Sequence, residues 1–194
     1  RWRVESTADP HVVRCRHDDD RSLLIVNGRQ TATRDGLEVL TLASAIEIED
    51  GLGVEETIEQ GLEAGALVTL PWGFGKWTGK RKARMLELVR RFGPKGIALG
   101  DSAARPAGLG DGAIFGLARE MGVPILPGTD PLPIPRHATR AGQYGLWLEG
   151  WLDPGTASED LRHRLASPLP NDSAIGRRDG LVRAIVTQVR VRLG

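Results

Sequence analysis

The sequence predicts an α/β fold, with a closed (β/α) TIM-like barrel favoured over an open, doubly wound sheet. Three observations predict it. From about Glu38 onward, short β-rich runs alternate with helical patterns, and such alternation implies parallel strands joined by helical crossovers. Most of these runs are near-continuously apolar, as strands covered on both faces are. Long, chemically rich loops, Pro71–Gly79, Gly100–Gly110 and Pro127–Gly142, follow successive strands. In a barrel such loops converge on one mouth, whereas in an open sheet usually only those near the switch point meet.

The expected strands are Val12–Cys15 and Leu23–Val26, a hairpin across the polar turn HDDDRS, then Leu37–Leu42, Ala66–Leu70, Gly96–Leu99, Val123–Leu126 and Tyr144–Leu148. Helices are expected between them. Residues 54–64 open on Glu55 and Glu56, which suit a helix N-terminus. In residues 79–92, Met85, Leu86, Val89 and Phe92 recur at helical spacing, and Gly93-Pro94 stops the helix. Residues 111–121 bring Ile114, Phe115, Ala118 and Met121 together before Gly122. Residues 156–165 carry Thr156 and Glu159 at capping-box spacing. A last helix, about 180–193, would bury Leu181, Ile185, Val189 and Leu193.

The chain has 194 residues, 40% hydrophobic and 26% charged, with a formal net charge of +1. That is enough apolar mass for a core in one domain spanning 1–194. A charge near zero argues against a general nucleic-acid or membrane surface, which needs an electrostatic excess. No apolar run reaches the roughly 20 residues of a membrane span. A single cysteine, Cys15, excludes an internal disulfide framework and fits a reducing, cytoplasmic compartment. The chain is short for a full barrel of about 250 residues. It also starts at Arg1 without an initiator Met or a signal h-region, so either missing N-terminal sequence or fewer than eight strands is expected.

Candidate chemistry sits in the three loops. In PGTDPLPIPRHATR, Asp130 could bind a divalent metal or act as a general base, or it could accept backbone N–H bonds in a stiff, proline-rich turn. His137 in the same loop is a ligand contact or a surface residue. In GDSAARPAGLG, Asp101 could orient a catalytic water or pair with Arg105, and Arg105 could bind a phosphate or carboxylate or close the loop onto Asp101. In LPWGFGKWTGKR, Lys76, Lys80 and Arg81 crowd a helix start, where cations oppose the dipole unless an anion is bound. Trp72 and Trp77 there are flat walls for a ligand or a lid on the core. The acidic run Asp18–Asp20 beside His17 is a cation site or an exposed turn, and Ser102 has no His near it in sequence. There is no GxGxxG, P-loop, HExxH or CxxC.

Taken in order, GLEVLTLAS, EETIEQGLEAGALVTLPWGFGKW, LGDSAARP and GVPILPGTDPLP, within residues 36–150, resemble the polymerase-and-histidinol-phosphatase (PHP) family of metal-dependent phosphoesterases. The resemblance implies a distorted (β/α) barrel of about seven strands, a cluster of divalent metals such as Mn, Zn or Fe, and hydrolysis of phosphate esters. It makes Glu38 the bridging metal ligand and Asp130 the late one. The departures are plain. Leu70 precedes Pro71 where the family has His, Asp130-Pro131-Leu132 replaces Asp-x-His, and His11 and His17 are wrongly spaced for the first His-x-His pair.

Three expectations follow. The chain is a divergent hydrolase using Asp130, Asp101, Lys76 and Arg105 on a small anionic or phosphorylated molecule. Alternatively, it is a PHP-like scaffold that has lost its metals and binds a ligand or partner through the same mouth. A third reading is an α/β domain whose function resides elsewhere in a longer chain.

Overall fold

The computed structural model describes residues 1–131, 135–170, 173–184 and 186. In chain order they form β1 (Trp2–Ser6), β2 (Val12–His17), β3 (Ser22–Val26), β4 (Gly28–Ala32), β5 (Glu38–Leu42), α1 (Val54–Glu63), β6 (Leu67–Pro71), α2 (Gly79–Phe92), β7 (Ala98–Ser102), α3 (Gly112–Glu120), β8 (Ile125–Gly128), β9 (Tyr144–Leu146), α4 (Ala157–Leu165) and β10 (Ala174–Gly176). The strands make three sheets, of hydrogen-bonded order β1-β2-β3, β4-β5-β6-β7-β8 and β9-β10. The chain divides into two compact units, Arg1–Thr69 with Glu149–Ser167, and Leu70–Leu148 with Pro168–Gly194.

The expected (β/α) barrel of parallel strands is overturned. The five-stranded sheet has β4 and β8 as edges and does not close on itself. Within it β4 pairs antiparallel with β5, and β5 antiparallel with β6, while β7 and β8 are parallel. The reversal at β5–β6 has a traceable cause. After Leu42 the chain does not enter a helix directly. Residues 43–53 run back in irregular conformation to the start of β5, where Gly51 N–H donates to Ala32 O (2.8 Å) and Arg34 N–H to Leu52 O (3.0 Å). Helix α1 then retraces that distance, and Gly65 (φ +68°) turns the chain into β6 with Leu67 opposite Leu42. Two return segments in place of one leave the strands antiparallel. Hydrophobic alternation is blind to this, because it reports element type and not the path between elements.

In the first unit, β2 and β3 form the expected hairpin about Asp18–Arg21, with Asp20 in the left-handed region (φ 66°). The acidic run is consumed locally: Asp18 accepts from Arg3 and the N-terminal amine, and Asp19 faces His17 and Arg21. Strands β1 and β4, with almost every residue exposed, carry no apolar signature and are not foreseen in the sequence. Helix α1 lies close on its sheet at Gly61, where a Cβ would come within 2.8 Å of Val68 Cγ2 and 2.9 Å of Thr41 Cγ2. Both helices of this unit borrow their N-terminal caps. Val54 N–H donates to Asp35 Oδ2 (2.7 Å), and Ser158 N–H to Asp9 Oδ2 (2.7 Å). Thr156, despite its capping-box spacing, makes no side-chain cap bond.

In the second unit, α2 buries Met85, Leu88, Val89 and Phe92, and α3 buries Ile114, Phe115 and Ala118. Leu88, not Leu86, lies on the buried face, and Met121 is exposed. Phe92, Ile97, Ala98 and Leu99 are fully buried. The expected helix at about 180–193 lies mostly outside the described residues. Of its named positions only Leu181 is described, and it is 62% exposed.

Asp9 is 4% exposed. Burial pushes its pKa up, but the N–H bonds from Ser158 and His11 win and hold it below the ordinary carboxylate value of 3.8. Asp9→Ala is expected to cost about 1–3 kcal/mol in urea unfolding, as loss of a charged cap does. The native carboxylate holds its proton less tightly than the unfolded one. The stabilisation is therefore present above the ordinary value and disappears as pH falls through the folded one.

Candidate functional site

Strand β7 ends on Asp101 and Ser102, both buried, and is held in register by β8 with Asp101 opposite Pro127 and Ser102 opposite Gly128. A tight turn follows: Ala104 N–H donates to Ser102 Oγ (3.0 Å) and Arg105 N–H to Ser102 O (2.9 Å). The turn folds Arg105 back onto Asp101, four residues earlier. The guanidinium grips both carboxylate oxygens, Nε to Oδ1 at 2.6 Å and Nη2 to Oδ2 at 2.9 Å. Its Nη1 donates to Leu109 O (3.0 Å) and Gly110 O (3.1 Å), and Asp111 lies 3.8 Å from Nη2. The plane sits 4.7 Å from the Phe115 ring centroid. Burial alone would lower the Arg105 pKa, but Asp101 and then Asp111 more than offset it. Arg105 thus spends its fork on the protein, and the loop closure weighed from sequence is the geometry found.

Tyr144, on β9, donates its hydroxyl to Asp101 Oδ2 (2.9 Å). Burial and the Asp101 charge push its pKa up to about 12, so it holds its proton at neutral pH. Thr129 Oγ1 fastens to the Tyr144 carbonyl (3.0 Å), and next to it Asp130, in the left-handed region at φ 49°, accepts from Ser102 Oγ (2.9 Å). Asp101, Ser102, Arg105, Asp130 and Tyr144 therefore form one connected network in the second unit. Tyr144, the only tyrosine of the chain, is a member that sequence reasoning missed. It is 43 residues from Asp101, a separation no local pattern spans.

Trp72 is half-buried; its N–H donates to Gly100 O (2.8 Å), and its ring meets Phe74 edge-on at 6.3 Å. Trp77 is 8% exposed and packs on Phe115 at 5.0 Å between ring centroids, so it is mostly core. Lys76 is half-buried, with its stem against Gly73, where a Cβ would lie 2.7 Å from Lys76 Cδ. Arg81 is exposed and donates to Gly75 O (3.2 Å). These loops and the N-terminal residues of α2 and α3 enclose a groove of about 810 Å³. Trp72, Phe74, Lys82, Pro106, Leu109, Gly79 and Gly112 line it.

His137 is 7% exposed, with Nε2 3.2 Å from Arg140 Nη1. Arg140 also reaches the buried carboxylate of Asp179, which closes the segment through Asp179 N–H to Ala103 O (2.7 Å). Glu38, at the start of β5, belongs to the first unit and Asp130 to the second. The donor set that the PHP resemblance implies does not fit a metal: no three His, Cys, Asp or Glu side chains gather around a common point among the described residues. Asp101 and Asp130 meanwhile accept hydrogen bonds from Arg105, Tyr144 and Ser102.

The chain matches no family model, no curated protein and no solved structure.

Two outcomes follow from this geometry. Arg105→Ala strands a buried carboxylate and should cost about 3–5 kcal/mol in urea unfolding, with Arg105→Lys between it and wild type because an ammonium cannot span both oxygens. His137 has its pKa lowered from 6.5 by burial first and then by the Arg140 charge. The unfolded state binds the proton more readily, so stability falls as pH drops from above about 6.5 toward the folded value. Thermal melts across that window should show this slope in wild type and a flatter one in His137→Gln.

Proposed function

We propose that the second unit binds a small molecule carrying an apolar or aromatic part and a negative charge, a phosphorylated one being the simplest, without a catalytic metal. The observation that carries this reading is the composition of the groove. Half-buried Trp72 and exposed Phe74, Leu109 and Lys82 line it together. The same groove reaches the first residues of two helices, α2 and α3. Neither has an acidic residue in its first turn or a side-chain N-cap bond. Aromatic faces stack on a flat ring, and a cation with helix N-terminal N–H groups favours an anion beside it. Asp111 lines the groove as well, but its carboxylate is turned to Arg119 (3.0 Å).

This reading keeps the anionic ligand implied by the PHP resemblance and sets hydrolysis aside, since Asp101 and Asp130 serve the loop network and Glu38 lies on β5 in the first unit. Titration of the full chain with p-nitrophenyl phosphate, followed by tryptophan fluorescence, tests it. Saturable quenching is expected, weakened roughly three- to tenfold in Trp72→Ala. Lys82→Ala should weaken it severalfold and flatten its salt dependence. Absence of saturable quenching, or equal affinity in both variants, would refute the proposal. Release of p-nitrophenol on adding Mn, Zn or Fe would favour the hydrolase instead.

A further inference from the structure

A second cavity, of about 430 Å³, lies in the second unit and is lined by Arg140, Arg177, Arg178, Asp179, Gly180 and Arg183, with Gln143 and Gly176 beside them. Four guanidinium groups face it against one carboxylate. Asp179 cannot balance them. It is 4% exposed, its Oδ1 accepts from Arg140, and Arg183 Nη1 stands 3.9 Å from the same oxygen. Arg177 is exposed and makes no side-chain hydrogen bond or ion pair among the described residues.

Arg178 adds a further cation to the same wall, and Asp179 keeps its second oxygen, Oδ2, buried and without a donor among the described residues. Arg178 Nη1 is buried and without a hydrogen-bond acceptor, and the nearest carboxylate, Asp101 Oδ2, is 4.0 Å away and already serves Arg105 and Tyr144. The backbone forms this wall for a local reason. Gly176, at φ +87°, lets Arg177 N–H reach Gln143 O (3.1 Å), and a Cβ on Gly176 would lie 1.8 Å from that oxygen. Any side chain at position 176 would break the rim.

We propose that this cavity is an oligophosphate site, independent of the aromatic groove, which takes a diphosphate group. Four arginines against the single lining carboxylate of Asp179 favour an anion of several charges, and planar forks match phosphoryl oxygens bidentately. Single carboxylates supply too little charge. The cavity has room for roughly a dozen waters, enough for a diphosphate but not for a folded macromolecular segment.

Calorimetric titration of the full chain with inorganic pyrophosphate and, separately, with ADP tests the proposal and separates a free diphosphate from a nucleotide-borne one. Saturable binding is expected for at least one of them, weakening as salt rises. Arg177→Ala with Arg183→Ala should reduce affinity roughly tenfold or more. The melting temperature without ligand should change little, because Arg177 makes no side-chain ion pair among the described residues and Arg183, 3.9 Å from Asp179, is 71% exposed. Trp72→Ala should leave the affinity intact, so failure here and failure of the groove reading are told apart. The proposal is overturned if neither ligand binds saturably, if the double variant binds as well as wild type, or if sulfate at equal ionic strength reproduces the heat. Far tighter binding of a single-stranded oligonucleotide through the same arginines would replace it with a nucleic-acid surface.

Discussion

The Asp101 carboxylate and the Arg105 guanidinium are 5% and 3% exposed, and each would be an uncompensated buried charge without the other. Much of the second unit is arranged around this pair. The fork must face both oxygens, which fixes the turn after β7. Its remaining donors draw in the carbonyls of Leu109 and Gly110, which sets the course of the loop into α3. The guanidinium face needs an apolar floor, and Phe115 provides it with Trp77 stacked beyond. The second oxygen of Asp101 recruits Tyr144, and through Thr129 the β8 and β9 segments are tied together. An aromatic groove wall and a polar network thus share one electrostatic origin.

Much of this was legible in the sequence at the level of elements and little at the level of path. Runs such as ALVTL and the spacing of Met85, Val89 and Phe92 located β6 and α2, because burial on a strand or a helix face leaves a periodic trace. Strands β1 and β4 left none, since almost all of their residues are exposed. The barrel expectation failed on residues 43–53, an irregular return that has no periodicity. At the site, Asp101, Arg105 and Asp130 stood out as loop-borne polar groups after strands, and three-dimensional proximity joins them. Tyr144 was missed because it reaches the network from a distant stretch of chain, as Asp179 does the Ala103 carbonyl. Arg105 is sunk into the interior, whereas Lys76 is half-buried.

The contrast between helix starts bears on function. In the first unit, remote carboxylates satisfy the leading N–H groups of α1 and α4, so those ends are complete within the protein. Helices α2 and α3 begin at Gly79 and Gly112, both with positive φ, without side-chain caps, beside tryptophan and lysine. A fold that caps two helices from afar and leaves two others without a side-chain cap along one groove directs its positive ends unevenly. That asymmetry, together with the arginine-rich cavity, gathers helix starts without side-chain caps and clustered cations in one unit of a chain whose net charge is only +1.

The clasp between Asp9 and Ser158 has a consequence for biosynthesis. Its two partners are 149 residues apart in the chain. At ordinary translation speeds the ribosome needs on the order of ten seconds to deliver the second after the first. Throughout that interval the early strands are outside the ribosome without the helix that completes them, while residues 70–148 emerge and can begin to organise. A discontinuous unit of this kind cannot finish in the order it is made. Its early segments must wait for late ones, and chaperones that shield an open sheet edge have their window there.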